Sequence, residues 1–115
     1  MSYPLIRHRR LRRTAALREL VRETVLTAND FMYPIFVTHG RKVREEVKSM
    51  PGVYNFSLDK LAGEIERVTE AGVKSVMLFG IPEHKDETGS SAWDPEGIVQ
   101  QAIREVKRLA PDLVV

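Results

Sequence analysis

Apolar residues recur along this chain in two alternating rhythms. Leu17, Leu20 and Val21 follow Thr14 at helical spacing, which predicts a short helix over 15–23. Thr14 is its cap, because a side-chain oxygen there satisfies a first-turn amide. Thr27-Ala28-Asn29-Asp30 reads as a turn. Residues 33–37 (YPIFV) predict a strand, with Pro34 near its start or beside an edge, since proline brings no ladder donor. Residues 38–57 form a long polar connection with the turn signal Pro51-Gly52. The alternation at Val43, Glu45 and Val47 permits a small extended piece there. Ser57 then opens a helix whose stripe is Leu58, Leu61, Ala62, Ile65 and Val68, stopped by a left-handed Gly72. The run 73–79 (VKSVMLF) predicts a second strand, covered on both faces as parallel strands are. After a polar loop over 80–93, Asp94-Pro95 opens the next helix, with Asp as cap and Pro at the first helical position. Its stripe is Ile98, Val99, Ala102, Ile103, Val106 and Leu109. Pro111 ends it, and 112–115 read as a third strand beginning.

Strand, helix, strand, helix, strand is the order of an α/β fold with parallel strands and right-handed crossovers. An open doubly wound sheet and a closed (β/α)8 barrel both satisfy it. A domain seldom stops where a strand enters the sheet, so the chain reads as a fragment. Residues 1–30 form an arm with a short helix, and 31–115 the first β/α units of an incomplete domain.

Composition narrows the class. With 115 residues, 43% apolar and 30% charged, global disorder is excluded. No apolar run approaches the roughly 20 residues of a membrane span, and no signal-peptide pattern follows Met1. The absence of cysteine excludes disulfides and thiolate metal sites within these residues and fits a reducing cytoplasm. Net charge is +2, yet residues 1–13 carry five arginines and no acid, so the other 102 residues sum to −3. A basic arm thus precedes a mildly acidic body. Clustered arginines suit carboxylates of a neighbouring subunit, remain as a solvated tail, or neutralise phosphates. Nucleic acid is disfavoured, because the arm has no aromatic beyond Tyr3 and the body no recognition motif.

Candidate chemistry lies in the loops after the strands. His39 follows the first strand and is an acid/base candidate, although a solvated loop histidine is the commoner case. His84 with Asp86 and Glu87 suggests a metal, but the spacing matches no standard ligand pattern, and a solvated acidic loop is favoured. His8 belongs to the polar arm. Lys74, within the second strand, faces either a barrel interior or a helix acid; as a Schiff-base former it would need a depressed pKa. Dinucleotide, Walker A and Gly-x-Ser-x-Gly signatures are absent. These residues alone describe a scaffold without a catalytic constellation.

Several stretches taken together resemble a known family: RHRRLRRTAALRELVRET, FMYPIFV, SMPGVYNFSLDKL, SVMLFGIPEHKDETGSSAWDPEGIVQQAIR and the closing PDLVV. They are similar, in order and over nearly the whole chain, to the N-terminal third of the porphobilinogen synthase (5-aminolevulinate dehydratase) family. The resemblance implies a (β/α)8 TIM barrel preceded by an extended basic arm that wraps a neighbouring subunit in a homo-octamer. It implies a lyase that condenses two molecules of 5-aminolevulinate to porphobilinogen, losing two waters through lysine Schiff bases, for haem and other tetrapyrroles. A divalent metal, zinc or magnesium, is expected in the full-length enzyme. The family's lysines and metal segment lie beyond Val115, so no catalytic, cofactor or metal residue is assigned here and Lys74 is not promoted to fill the gap. Arg12, in Arg9-Arg10-Leu11-Arg12, matches an arginine that approaches an allosteric magnesium site between subunits. Phe79 and Gly80 are expected at the active-site end of the barrel, structural first. The fragment alone is expected to be inactive and to aggregate unless complemented. The alternative from another class is a small basic-armed α/β module binding nucleic acid or phosphorylated partners.

Overall fold

The computed structural model describes residues 4–115; the start of the arm, Tyr3 included, lies outside the described residues. Its centre is a four-stranded sheet of β1 (Met32–Thr38), β2 (Arg44–Glu46), β3 (Tyr54–Phe56) and β4 (Ser75–Ile81), in the order β2-β3-β1-β4. The helices are α1 (Ala15–Leu20), α2 (Leu61–Glu70) and α3 (Ile98–Leu109). β1 and β4 pair in parallel along their whole length, from Met32 opposite Ser75 to Thr38 opposite Ile81. The expected third strand begins on the far side of β4: the Val114 amide donates to the Lys74 carbonyl at 3.0 Å, and the Val76 amide to the Val114 carbonyl at 2.9 Å. That bridge is parallel. The three expected strands are therefore adjacent and co-directional.

The core lies on one face of the sheet. Ile35, Val37 and Val76 pack against Leu61, Ile65 and Val68 of α2 and against Ile98, Ala102 and Val106 of α3. On the opposite face Met77 is 46% and Phe79 45% exposed. The expectation that the second strand is covered on both faces is thus corrected. Its burial alternates, because both long helices lie on the same side.

Other boundaries also move. The sheet gains a hairpin that the sequence only hinted at: β2 and β3 are antiparallel, and β3 runs parallel to β1 at Phe36–Asn55 and Val37–Phe56. Pro34 precedes that pairing, so β3 asks no hydrogen bond of it. The last strand starts at Ser75, leaving Val73 and Lys74 outside it. The α2 stripe keeps Leu61, Ile65 and Val68, but Ala62 is exposed and Glu64 takes the buried place three residues after Leu61. Asp94 does not cap α3. Its carboxylate accepts from the Glu96 amide at 2.9 Å and its carbonyl from the Gly97 amide at 2.8 Å, so a separate turn precedes a helix that begins at Ile98. Thr14 does cap α1, accepting from the Leu17 amide at 3.1 Å. That helix stops three residues early because it has no buried residue, and helices this short are marginal without packing.

The arm gives the molecule its shape. The radius of gyration is 21.7 Å and the long axis 71 Å, against about 13 Å for the radius of a compact chain of this size. The accessible surface of 9284 Å² likewise exceeds the roughly 6,400 Å² expected for a compact monomer of this mass.

Candidate functional site

The strands β1 and β4 end side by side, and their loops enclose a cleft of about 540 Å³ lined by His39, Gly80, His84, Asp86, Trp93 and Gly97, among others. His39 is half-buried directly after β1, whereas His84 and Asp86 are exposed in the loop after β4. Asp86 is an organiser of that loop. It accepts from the hydroxyl of Ser90, from the Ser90 amide at 2.8 Å and from the Thr88 hydroxyl at 3.3 Å. The Ser90 hydroxyl leads in holding its carboxyl below the ordinary aspartate range. Glu87, the third residue of the suspected metal group, does not line the cleft. Among the described residues no three His, Asp or Glu side chains come together to hold a metal ion. The cleft gathers the loops that carry His39, His84 and Asp86, a juxtaposition that sequence spacing could not reveal.

Gly80 and Phe79 take opposite directions from the end of β4. A Cβ on Gly80 would meet Val99 Cγ2 at 2.5 Å and Ile98 Cγ2 at 2.9 Å, so the absence of a side chain lets α3 approach the strand. Phe79 points to the open face and stacks on Phe36, with ring centroids 5.5 Å apart and planes inclined by 28°. Gly97, buried under the same loop, is equally constrained: a Cβ there would come within 2.7 Å of the Ser91 carbonyl. Neither crowding is legible before the fold is known.

Lys74 is displaced from the role considered for it. It precedes β4, is exposed, and sits at the opposite end of the sheet from the cleft, beside Thr69 and Pro111. Its backbone, and not its amine, does the structural task of receiving Val114. Arg12 is exposed in a 3-10 turn, and its carbonyl accepts from the Arg18 guanidinium at 2.9 Å. His8 lies in the same exposed turn.

Sequence reasoning missed a polar network inside the body. The Tyr33 hydroxyl donates to Glu64 Oε1 at 2.8 Å and accepts from Arg67 at 2.7 Å, while Arg67 also bonds both Glu64 oxygens. Burial pushes the Glu64 carboxyl up, but the hydrogen bonds from Arg67 and Tyr33 and the charges of Arg67 and Arg44 outweigh it, and the net shift is downward. Burial, followed by Glu64, pushes the Tyr33 phenol up. The available signal was an acid at an apolar-stripe position with a basic residue three places on.

A covered face, an apolar open face and loops gathered at the carboxyl ends of parallel strands are what the first units of a β/α barrel present. The model of the delta-aminolevulinic acid dehydratase family matches residues 5–115, and the chain belongs to that family. It is 55% identical over 95% of its length to the delta-aminolevulinic acid dehydratase of Halalkalibacterium halodurans, covering 33% of that protein. It is 49% identical over its whole length to the Bacillus subtilis enzyme of the same name, covering 36% of it. It also superposes on the crystal structure of delta-aminolevulinic acid dehydratase (porphobilinogen synthase) from Toxoplasma gondii in complex with the reaction product porphobilinogen. There the TM-score is 0.84 and the identity 31%, over 94% of this chain and 31% of that one. The chain thus spans about a third of the length of these relatives. The alternative of a small basic-armed binding module finds no support among them.

Proposed function

We propose that the protein carrying this chain is a porphobilinogen synthase, condensing two molecules of 5-aminolevulinate with loss of two waters. The observation that carries the reading is a match of both sequence and fold, over nearly every residue, to a family with a product-bound member. In this reading residues 1–30 are the arm and 31–115 the first β/α units, which supply a wall of the site and no reacting group. Phe79 and its stacking partner Phe36 belong to the inward face at the ligand end. The Schiff-base lysines are those that the family resemblance places beyond Val115, and Lys74, at the opposite end of the sheet from the cleft, does not stand in for them.

The full-length enzyme would use zinc or magnesium. In this reading its ligands belong to the metal segment that the family resemblance places beyond Val115, and no residue of this chain is assigned to it. The exposed arginine arm, with Arg12 near an allosteric magnesium between subunits, would join copies into an octamer. The cytoplasm is the compartment this reading expects; among the described residues no helix is long and apolar enough to cross a membrane.

The test is pyrrole formation from 5-aminolevulinate by the complete reading frame, after chelation and add-back of zinc or magnesium separately. Product should appear with at least one metal, and Lys74→Ala should leave the rate unchanged. A complete protein that makes no porphobilinogen under either condition overturns the reading.

A further inference from the structure

The connection from β1 to β2 takes a shape that the chain does not adopt unaided. Gly40 has φ of +107° and Lys42 φ of +55°, and Lys42 is the one residue other than glycine in the left-handed region among the described residues. A side chain in that region crowds its own backbone, and the conformation persists only where the surroundings impose it. What imposes it here follows β3. The Lys42 amide donates to both carboxylate oxygens of Asp59, at 3.1 and 2.9 Å. The next amide, that of Val43, donates to the Ser57 hydroxyl oxygen at 2.9 Å, and the Ser57 amide donates to the Val43 carbonyl at 3.1 Å. The Ser57 hydroxyl in turn donates to Asp59 Oδ1 at 2.7 Å, and this bond leads in holding the Asp59 carboxyl below the ordinary aspartate range. Among the described residues Ser57 is the one polar side chain that is fully buried, and its hydroxyl is spent inside this clamp.

Position gives the clamp its consequence. β3 runs parallel to β1, so Ser57 and Asp59 leave it at the same end of the sheet as His39, where the loops enclose the cleft. Only Gly40 and Arg41 separate Lys42 from His39, which lines that cleft. Lys42, Ser57 and Asp59 do not line it, so they reach it only through the loop.

We propose that Ser57 and Asp59 are positioning residues for the ligand end of the site: they hold the loop over 39–43 in its strained form, and the loop sets where His39 stands in the cleft. This rests on the proposed function, in which that end supplies a wall for 5-aminolevulinate. Released from Asp59, Lys42 relaxes to a negative φ, and the chain beside His39 turns with it.

The experiment uses the complete protein as wild type, Asp59→Ala and Asp59→Ala/Lys42→Gly. Hydrogen exchange over residues 39–43, followed by mass spectrometry, reads the loop; pyrrole formation against 5-aminolevulinate concentration reads the site. Asp59 is exposed, so circular dichroism should show each variant folded. If Asp59→Ala does not fold, Asp59→Asn, which keeps one acceptor oxygen, replaces it with smaller changes in the same directions. Asp59→Ala should speed exchange in the loop about tenfold or more. It should raise KM about threefold to tenfold and leave kcat within about twofold. Adding Lys42→Gly should bring KM back toward the wild-type value, because glycine enters the left-handed region at no steric cost. A merely loosened fold would not recover in this way, since glycine adds flexibility to it. Unchanged exchange in Asp59→Ala, faster exchange with KM unmoved, or a raised KM that glycine does not recover each overturns the positioning role. A wild type that makes no porphobilinogen overturns the enzymatic reading and this role with it; that failure shows in the wild type itself, whereas a failure of the clamp shows only between variants.

Discussion

The two faces of the sheet are made by the same strands and end in opposite conditions. On one, Val37 has 0% and Val76 1% of its surface exposed beneath two helices; on the other, Met77 and Phe79 remain nearly half exposed. Alternation is a property of any strand, so the backbone does not distinguish the faces. The difference lies in what the intervening segments carry: both long connections are amphipathic helices, and right-handed crossovers of equal sense place them on one side. One face is completed by local sequence, and the other waits for residues farther along a barrel.

That contrast can be broken by substitution on the covered face of the complete protein, the 115-residue chain alone being expected to aggregate. The largest effect is expected at Leu61, which is fully buried. Leu61→Ala should cost about 2–5 kcal/mol in urea unfolding. Gly80→Val should cost about 1–3 kcal/mol by forcing α3 off the strand; an unchanged midpoint would show that Val99 and Ile98 yield freely. Removing the hydroxyl by Tyr33→Phe should cost about 1 kcal/mol. The Glu64 carboxyl has a depressed pKa, so its contribution is complete above the ordinary glutamate value of about 4.3 and fades as pH falls through its folded value. Glu64→Gln should therefore separate from wild type at neutral pH and converge on it in acid. Tyr33, with a raised pKa, acts oppositely: its contribution holds below about 10 and is lost as pH rises through the folded value. The smallest effect belongs to the open face. In the 115-residue chain alone, where Met77 is nearly half exposed, Met77→Ser should leave the circular dichroism unchanged while raising solubility, and a loss of structure there would mean that this face is already covered.

How much of this was legible follows the range of each interaction. Val76, Leu61 and Val106 are periodic, and periodicity announces their elements and the parallel order. Gly72, with φ of +81°, stops α2 as its position after the stripe implies. The β3 strand was hidden because Tyr54–Phe56 is only three residues long and is held by partners far away in sequence. The cleft failed for the same reason: His39 and His84 are 45 positions apart in the sequence, and only the parallel pairing of β1 with β4 brings their loops together. Asp94 misled because an Asp-Pro pair serves a turn as readily as a cap.

The outermost strand has a last implication. All three residues of β2, Arg44, Glu45 and Glu46, are exposed and charged, and such a border resists the addition of another chain. The other border, next to β4, presents Val114 and Val115. A sheet with one charged margin and one apolar margin takes its next strand beside β4, where Val114 already pairs, and not beside β2.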